Sequence, residues 1–157
     1  MRRVNFLNKL HKEKKIRFVE PSEEMKKAYL QRSEESLSSA KALMKLGNLK
    51  DSVALAYYSM YHCLLAALFR TGIKCENHSA SIILLKELFG MDNSTISKAK
   101  AERVDKQYYV DFEVTRDEAK DSIVIAEDFI AGMMDFIDKL TEEDMERLRN
   151  RAKKIIL

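Results

Sequence analysis

Residues that interrupt helices are scarce in this chain of 157 residues, which contains one Pro and four Gly. Because glycine and proline form most tight turns, so few of them argue against a fold of many short strands. Charged residues make up 34% of the chain and hydrophobic residues 46%. That balance suits amphipathic helices around one core, and it predicts a compact all-α protein.

Cysteine and long apolar runs are also sparse. Cys63 and Cys75 are too few for a disulfide framework and indicate free thiols in a reducing compartment. No apolar run reaches the roughly 18 to 20 residues that span a bilayer, and the amino terminus has no secretory pattern. These absences predict a cytoplasmic protein without a membrane segment.

The net charge of +3 is too small to indicate nucleic-acid binding by itself, but its distribution is uneven. The basic residues crowd both ends of the chain: Arg2, Arg3, Lys9, Lys12, Lys14, Lys15 and Arg17, then Arg147, Arg149, Arg151, Lys153 and Lys154. Basic runs of this kind usually form solvated faces, and the alternative is a phosphate-binding surface.

Apolar residues recur every three or four positions and predict an antiparallel bundle of four to five main helices. The segment from Leu49 to Thr71 is apolar around most of its circumference, so we expect it at the centre. Ser33, Ser36 and Ala40 are small residues that would let another helix approach closely. The predicted helices are 3–14, from Pro21 to a left-handed cap at Gly47, 49–71, 79–89, from about 94 towards 108, from a cap at Thr115 to 140, and from Thr141 onward.

These elements divide into three predicted parts. Residues 1–20 form a basic arm, a short helix and an extended connection that we expect to be an appendage. Residues 21–140 form the helical bundle, and 141–157 form a basic helix packed on the bundle or on a dimer partner.

Metal and nucleophile patterns are weak. Neither His62 nor His78 has a Glu three positions earlier, as di-iron bundles require, and Cys75 with His78 supplies only half a zinc site. His62 and Cys63 are adjacent on a helix and point about 100° apart, so they cannot form a dyad. We therefore expect no metal and no cofactor.

Two motifs carry a family resemblance. Residues 54–68 read Ala-Leu-Ala-Tyr-Tyr-Ser-Met-Tyr-His-Cys-Leu-Leu-Ala-Ala-Leu and are followed by Gly72 and His78. The later Arg103-Val-Asp-Lys-Gln-Tyr108 is similar to an Arg-x-x-Ala-Asp-Tyr element. Together they resemble the HEPN domain family over about residues 22–138.

The resemblance implies a fold like that of HEPN proteins and of nucleotidyltransferase substrate-binding subunits. It further implies a homodimer, a nucleotidyltransferase-type partner protein in a toxin–antitoxin-like pair, and a nucleotide or RNA as ligand. Ribonuclease members use an Arg followed by four to six residues and a His. Here Arg103 is present, but Tyr108, Tyr109 and Val110 stand where His is expected, and Arg70 is too far from His78 along the chain.

Tyrosine is a poor general base at neutral pH, so the missing His removes assistance worth about two to four decades in rate. We therefore expect a non-nuclease binding or regulatory module. The alternatives are a metal-independent ribonuclease toxin using Arg103 with His78, and a structural dimerisation module. The candidate ligand-binding residues are Arg103, Gln107, Tyr108, Tyr61, His62 and His78. The alternative is a purely structural role, in which Arg103 pairs with an acidic residue and the tyrosines pack in the core.

Overall fold

The computed structural model describes residues 2–108 and 113–157, apart from the side chains of residues 4 and 104–108. The part described is an all-α fold with one small sheet, which confirms the predicted class. In chain order the elements are α1 (Arg2–Lys12), β1 (Ile16–Phe18), α2 (Glu23–Lys45), α3 (Leu49–Arg70), β2 (Ile73–Cys75), α4 (His78–Glu87), α5 (Ser94–Tyr108), α6 (Arg116–Asp138) and α7 (Glu142–Ile156).

Helix α3 is the centre of the bundle and packs against α2, α5 and α6. Gly47, at φ +84°, reverses the chain so that α2 and α3 form the predicted antiparallel hairpin. Ser33 and Ala40 are buried in this contact, as expected for close helix approach. Ser33 Oγ donates to the Ser59 carbonyl at 2.6 Å, and Ser52 Oγ donates to the Ala40 carbonyl at 2.7 Å. The buried hydroxyls of Ser33 and Ser52 therefore both donate hydrogen bonds to backbone carbonyls inside the interface.

The expectation that no segment is long and apolar enough to span a bilayer was wrong. Helix α3, at 22 residues, is long and apolar enough to cross a membrane, judged by length and composition alone. However, 83% of its most apolar window is buried inside the fold. The apolar character of α3 is therefore accounted for by its central place in the bundle, and it does not indicate a membrane segment.

The two chain ends form one layer, which we call the terminal layer: α1, β1 and α7. Strand β1 pairs antiparallel with β2, with Ile16 opposite Cys75, and α1 packs on α7. Leu7 and Ile16 are fully buried in the core, and Leu10 is 4% exposed. The arm is therefore not the appendage that we expected, because its alternating apolar residues face the core and its polar residues face solvent.

Arg149 of α7 fastens the terminal layer to the end of α3. Its Nη1 donates to the carbonyls of Val19, Thr71 and Gly72 at 2.9, 3.1 and 3.2 Å. Gly72 has φ +81°, and a Cβ there would collide with the Arg149 guanidinium. Glycine is thus required at residue 72 both by the backbone conformation and by this close approach.

Candidate functional site

A row of aromatic side chains follows one side of α3. Tyr57 and Tyr61 are four residues apart, as are Tyr58 and His62, so each pair lies on adjacent turns of the helix. The ring centroids are 6.2 Å apart in both pairs, and the planes are 16° and 24° from parallel. The row thus presents a continuous aromatic surface to the neighbouring helices α2, α4 and α5.

Arg103 of α5 lies across this aromatic row. Its guanidinium carbon is 5.5 Å from the centroid of the Tyr57 ring and 5.4 Å from that of Tyr58. Its Nη1 donates to the Tyr58 hydroxyl at 3.0 Å. A cation over two aromatic faces is held by both electrostatic attraction and packing. The side chain is therefore placed at the junction of α3 and α5.

His78, the first residue of α4, stacks on the same row. Its ring centroid is 3.8 Å from that of Tyr61, and its Nδ1 is 2.7 Å from the Tyr57 hydroxyl. Burial, with the nearby charges of Arg103 and Lys100, lowers the pKa of His78 to about 4. The imidazole is therefore neutral at pH 7, and burial also raises the pKa of the Tyr57 phenol, which stays protonated.

His62 faces the other side of the row, towards α2. Together with Arg32, Ser36 and Tyr58 it lines a groove of about 430 Å³. Burial lowers the pKa of His62, with Arg32 adding to the effect. Its Nδ1 is buried and has no hydrogen-bond partner among the described residues.

Residues 26–135 match the HEPN domain family, a span of more than half of the chain. The chain belongs to the HEPN family. HEPN domains are nucleotide-binding or RNase-type modules. The chain is also 42% identical over 69 residues to UPF0332 protein PH1297 of Pyrococcus horikoshii. That match covers 44% of this chain and 45% of the relative, so it spans less than half of either protein.

The HEPN fold brings together most of the residues that the sequence nominated. Arg103, Tyr61 and His78 meet at Tyr57, and His62 joins them through Tyr58. The side chains of Gln107 and Tyr108, and all of Tyr109, lie outside the described residues. Arg70 is elsewhere, in an ion pair with Glu23.

Three residues of the HEPN site were not among the candidates predicted from the sequence. Tyr57 was named only as part of the motif, although its hydroxyl is 2.7 Å from His78 Nδ1 and its ring lies under Arg103. Tyr58 was seen only as part of the motif, although it accepts the hydrogen bond from Arg103. Lys100 lies one turn before Arg103, and its Nζ donates to Ser79 Oγ at 2.6 Å. Spacing of three residues on a predicted helix was the available signal for Lys100.

Metal binding has no support in the described HEPN residues. No group of three His, Cys, Asp or Glu side chains is placed to hold an ion there. Cys75 and Cys63 are both buried free thiols, and burial raises the pKa of Cys63 to about 12. A protonated thiol is a poor nucleophile and a poor ligand, so neither cysteine supplies chemistry to the site.

Proposed function

We propose that this HEPN domain is a binding and regulatory module, not a ribonuclease. In this proposal Arg103 takes a phosphate group of a nucleotide, and the aromatic row and Lys100 contribute to the same site. The module works as a homodimer with a nucleotidyltransferase-type partner protein in a toxin–antitoxin-like pair, in the cytoplasm.

The observation that carries the proposal is the pairing of a fixed cation, Arg103, with His78, whose imidazole is neutral at pH 7. A guanidinium on an aromatic surface is well suited to bind phosphate and to stack near a base. General acid–base catalysis instead needs a group with a pKa near the working pH. The pKa of His78, lowered to about 4, makes it poorly suited to that role, and burial lowers the pKa of His62 as well.

A second candidate function has one observation in its favour. The fold brings His78, 25 positions away from Arg103 along the chain, to the same tyrosine that the guanidinium covers. A metal-independent ribonuclease could use this pair, with Arg103 on the scissile phosphate and His78 as base. The low pKa of His78 weighs against it, because a base of pKa about 4 has little driving force for proton transfer.

Nucleotide binding is tested by calorimetric titration of the purified protein with ATP and with AMP. A charge-assisted hydrogen bond contributes about 1.5 to 3 kcal/mol, so Arg103→Ala should weaken binding by roughly 10- to 150-fold. Arg103→Lys should recover part of the loss, since it keeps the charge but not the fork. Arg116→Ala removes an exposed Arg of α6 and should leave affinity within about twofold.

Ribonuclease activity is tested on the same preparations with total RNA in EDTA, read on a denaturing gel. We expect intact RNA in every lane. Cleavage that disappears in both Arg103→Ala and His78→Gln would overturn the proposal in favour of the ribonuclease. Indifference to ATP, AMP and RNA alike would overturn both and leave a structural dimerisation module.

A further inference from the structure

The positive charge of this chain lies outside the part that matches the HEPN family. Residues 26–135 carry 15 Lys and Arg against 16 Asp and Glu, whereas the rest of the chain carries 13 against 9. The HEPN domain proper is therefore close to neutral. The net charge of +3 is supplied by the two flanking segments that build the terminal layer.

The fold brings these two flanking segments together. Asn8 Nδ2 of α1 donates to the carbonyls of Ile156 and Leu157 at 3.1 and 3.3 Å. Arg149 holds the middle of α7 beside Val19, just after β1. The second half of α7 therefore runs from the end of β1 to α1, and the basic residues of both chain ends share one layer.

The cations of this layer lie on its outer faces. In α7 the buried residues include Leu148, Ala152 and Ile156, while Arg151 and Lys154 are exposed on the opposite face. In α1 Leu7 and Leu10 are buried and Lys12 is exposed. Six exposed cations of the layer make no ion pair within the described part of the chain: Arg2, Lys12, Lys14, Arg151, Lys153 and Lys154.

Acidic residues limit this surface without cancelling it. Glu13 pairs with Lys9 and Lys15, and Asp144 pairs with Arg147. Other carboxylates of α7, such as Glu143 and Glu146, lie in its first half, whereas residues 147–157 contain no Asp or Glu. The second half of α7 and the end of α1 therefore form the unbalanced positive part, which we call the basic face.

We propose that the basic face binds the phosphate backbone of a nucleic acid, without reading its sequence. Unpaired surface cations release condensed counterions when they contact phosphates, which gives sequence-independent affinity. A membrane surface or an acidic protein fits less well, because both modes use exposed apolar side chains. Among the terminal-layer side chains that the structure describes, Leu7, Leu10, Leu148 and Ile156 are buried, and the large hydrophobic residue that is exposed is Leu157.

The test is fluorescence anisotropy with labelled single strands of about 20 nucleotides, longer than the roughly 4- to 16-nucleotide sites of single-strand binders. RNA and DNA of one sequence are titrated separately between about 50 and 200 mM salt. The test variant combines Lys12→Gln, Arg151→Gln and Lys154→Gln. The matched control combines Lys27→Gln, Lys45→Gln and Lys120→Gln, three exposed lysines of the HEPN segment.

We expect the test variant to bind at least tenfold more weakly at the lowest salt. Its slope of log affinity against log salt should fall by about 2, since each phosphate contact contributes about 0.7 for single strands. The control should keep the wild-type slope. The oligonucleotide that binds more tightly, RNA or DNA, shows which nucleic acid the basic face binds.

An equal loss in both variants, or no loss in the test variant, would overturn the proposal. Binding to anionic phospholipid vesicles with none to either oligonucleotide would overturn it as well. The experiment is independent of the proposed nucleotide site: Arg103→Ala should weaken nucleotide binding as stated above and leave the salt slope for oligonucleotides unchanged.

Discussion

His78 is the residue whose environment departs most from that of a free side chain. It stacks on Tyr61, bonds to Tyr57 and faces Arg103 and Lys100 from α5. Protonating it would place a third positive charge beside two existing ones, in a half-buried space. The fold therefore holds a neutral histidine, and stability must depend on pH.

The sign of that dependence follows from the lowered pKa. Because the folded pKa is about 4 and the ordinary value is 6.5, the unfolded chain binds the proton first as pH falls. The stabilisation is complete above pH 6.5 and is lost between pH 6.5 and 4. At about 1.4 kcal/mol per pKa unit, we expect up to about 2 kcal/mol less stability at pH 5 than at pH 7, measured by urea denaturation.

His78→Gln is the control for this pH effect, because Gln keeps a polar group but does not titrate. Its free energy of unfolding should fall less steeply between pH 7 and pH 5 than that of the wild type. Proton NMR of the His78 ring in the native protein should show no titration above about pH 5. A His78 signal that titrates near pH 6.5 would contradict the burial argument.

At the scale of residues, the sequence identified individual site residues but not the contacts they make with residues far away along the chain. It nominated Arg103, Tyr61 and His78 because motif spacing is local. It could not show that Arg103 bonds to Tyr58, 45 positions earlier, since that contact depends on how α5 crosses α3. The structure places the Arg103 guanidinium over two tyrosine rings.

Among the elements, α7 shows how a helix is fixed at both its start and its middle. Thr141 accepts from the Asp144 N–H at 3.1 Å, and the Asp144 carboxylate accepts from the Thr141 N–H at 3.1 Å, a complete capping box. Arg149 then bonds three carbonyls of the β1 and α3 ends. The cap sets where α7 begins, and Arg149 sets where it docks.

Arg149→Ala should therefore destabilise the protein well beyond an ordinary surface change. The substitution leaves the carbonyls of Val19, Thr71 and Gly72 without their shared donor, and we expect a loss of roughly 1.5 to 3 kcal/mol. Arg151→Ala, on the same helix but exposed, should cost less than about 0.5 kcal/mol. Chemical denaturation of the two variants side by side measures the difference, and equal losses would show that the three bonds contribute little.

The elements themselves were predictable to within one or two residues where the apolar period and the caps agreed. Thr115 and Thr141 were identified as helix starts, and both accept from the backbone as expected. The two-stranded sheet was not predicted, because three-residue strands carry too little periodicity. Ile16 pairs with Cys75 across 59 positions, a distance that local patterns cannot span.

On the scale of the whole molecule, the terminal layer is part of the core as well as a surface. Leu7, Leu10 and Ile16 from one end, and Leu148 and Ile156 from the other, are each less than 5% exposed. Full burial of such a side chain contributes about 1.5 to 3 kcal/mol, whereas a domain is stable by only 5 to 15 kcal/mol in total. The helical bundle of residues 21–140 therefore depends on segments outside the HEPN match.

A fragment containing residues 21–140 alone should accordingly fail to unfold cooperatively on heating, while the full chain does so.

Within the full chain, Ile16→Ala should lower the free energy of unfolding by about 2 to 4 kcal/mol, because removing the fully buried side chain leaves a cavity in the core. Val124→Ala is the matched control, since Val124 is 49% exposed, and it should change stability by less than about 0.5 kcal/mol. If the fragment is as stable as the full chain, and Ile16→Ala does not change the free energy of unfolding, residues 1–20 are an appendage and the terminal layer does not contribute to folding stability.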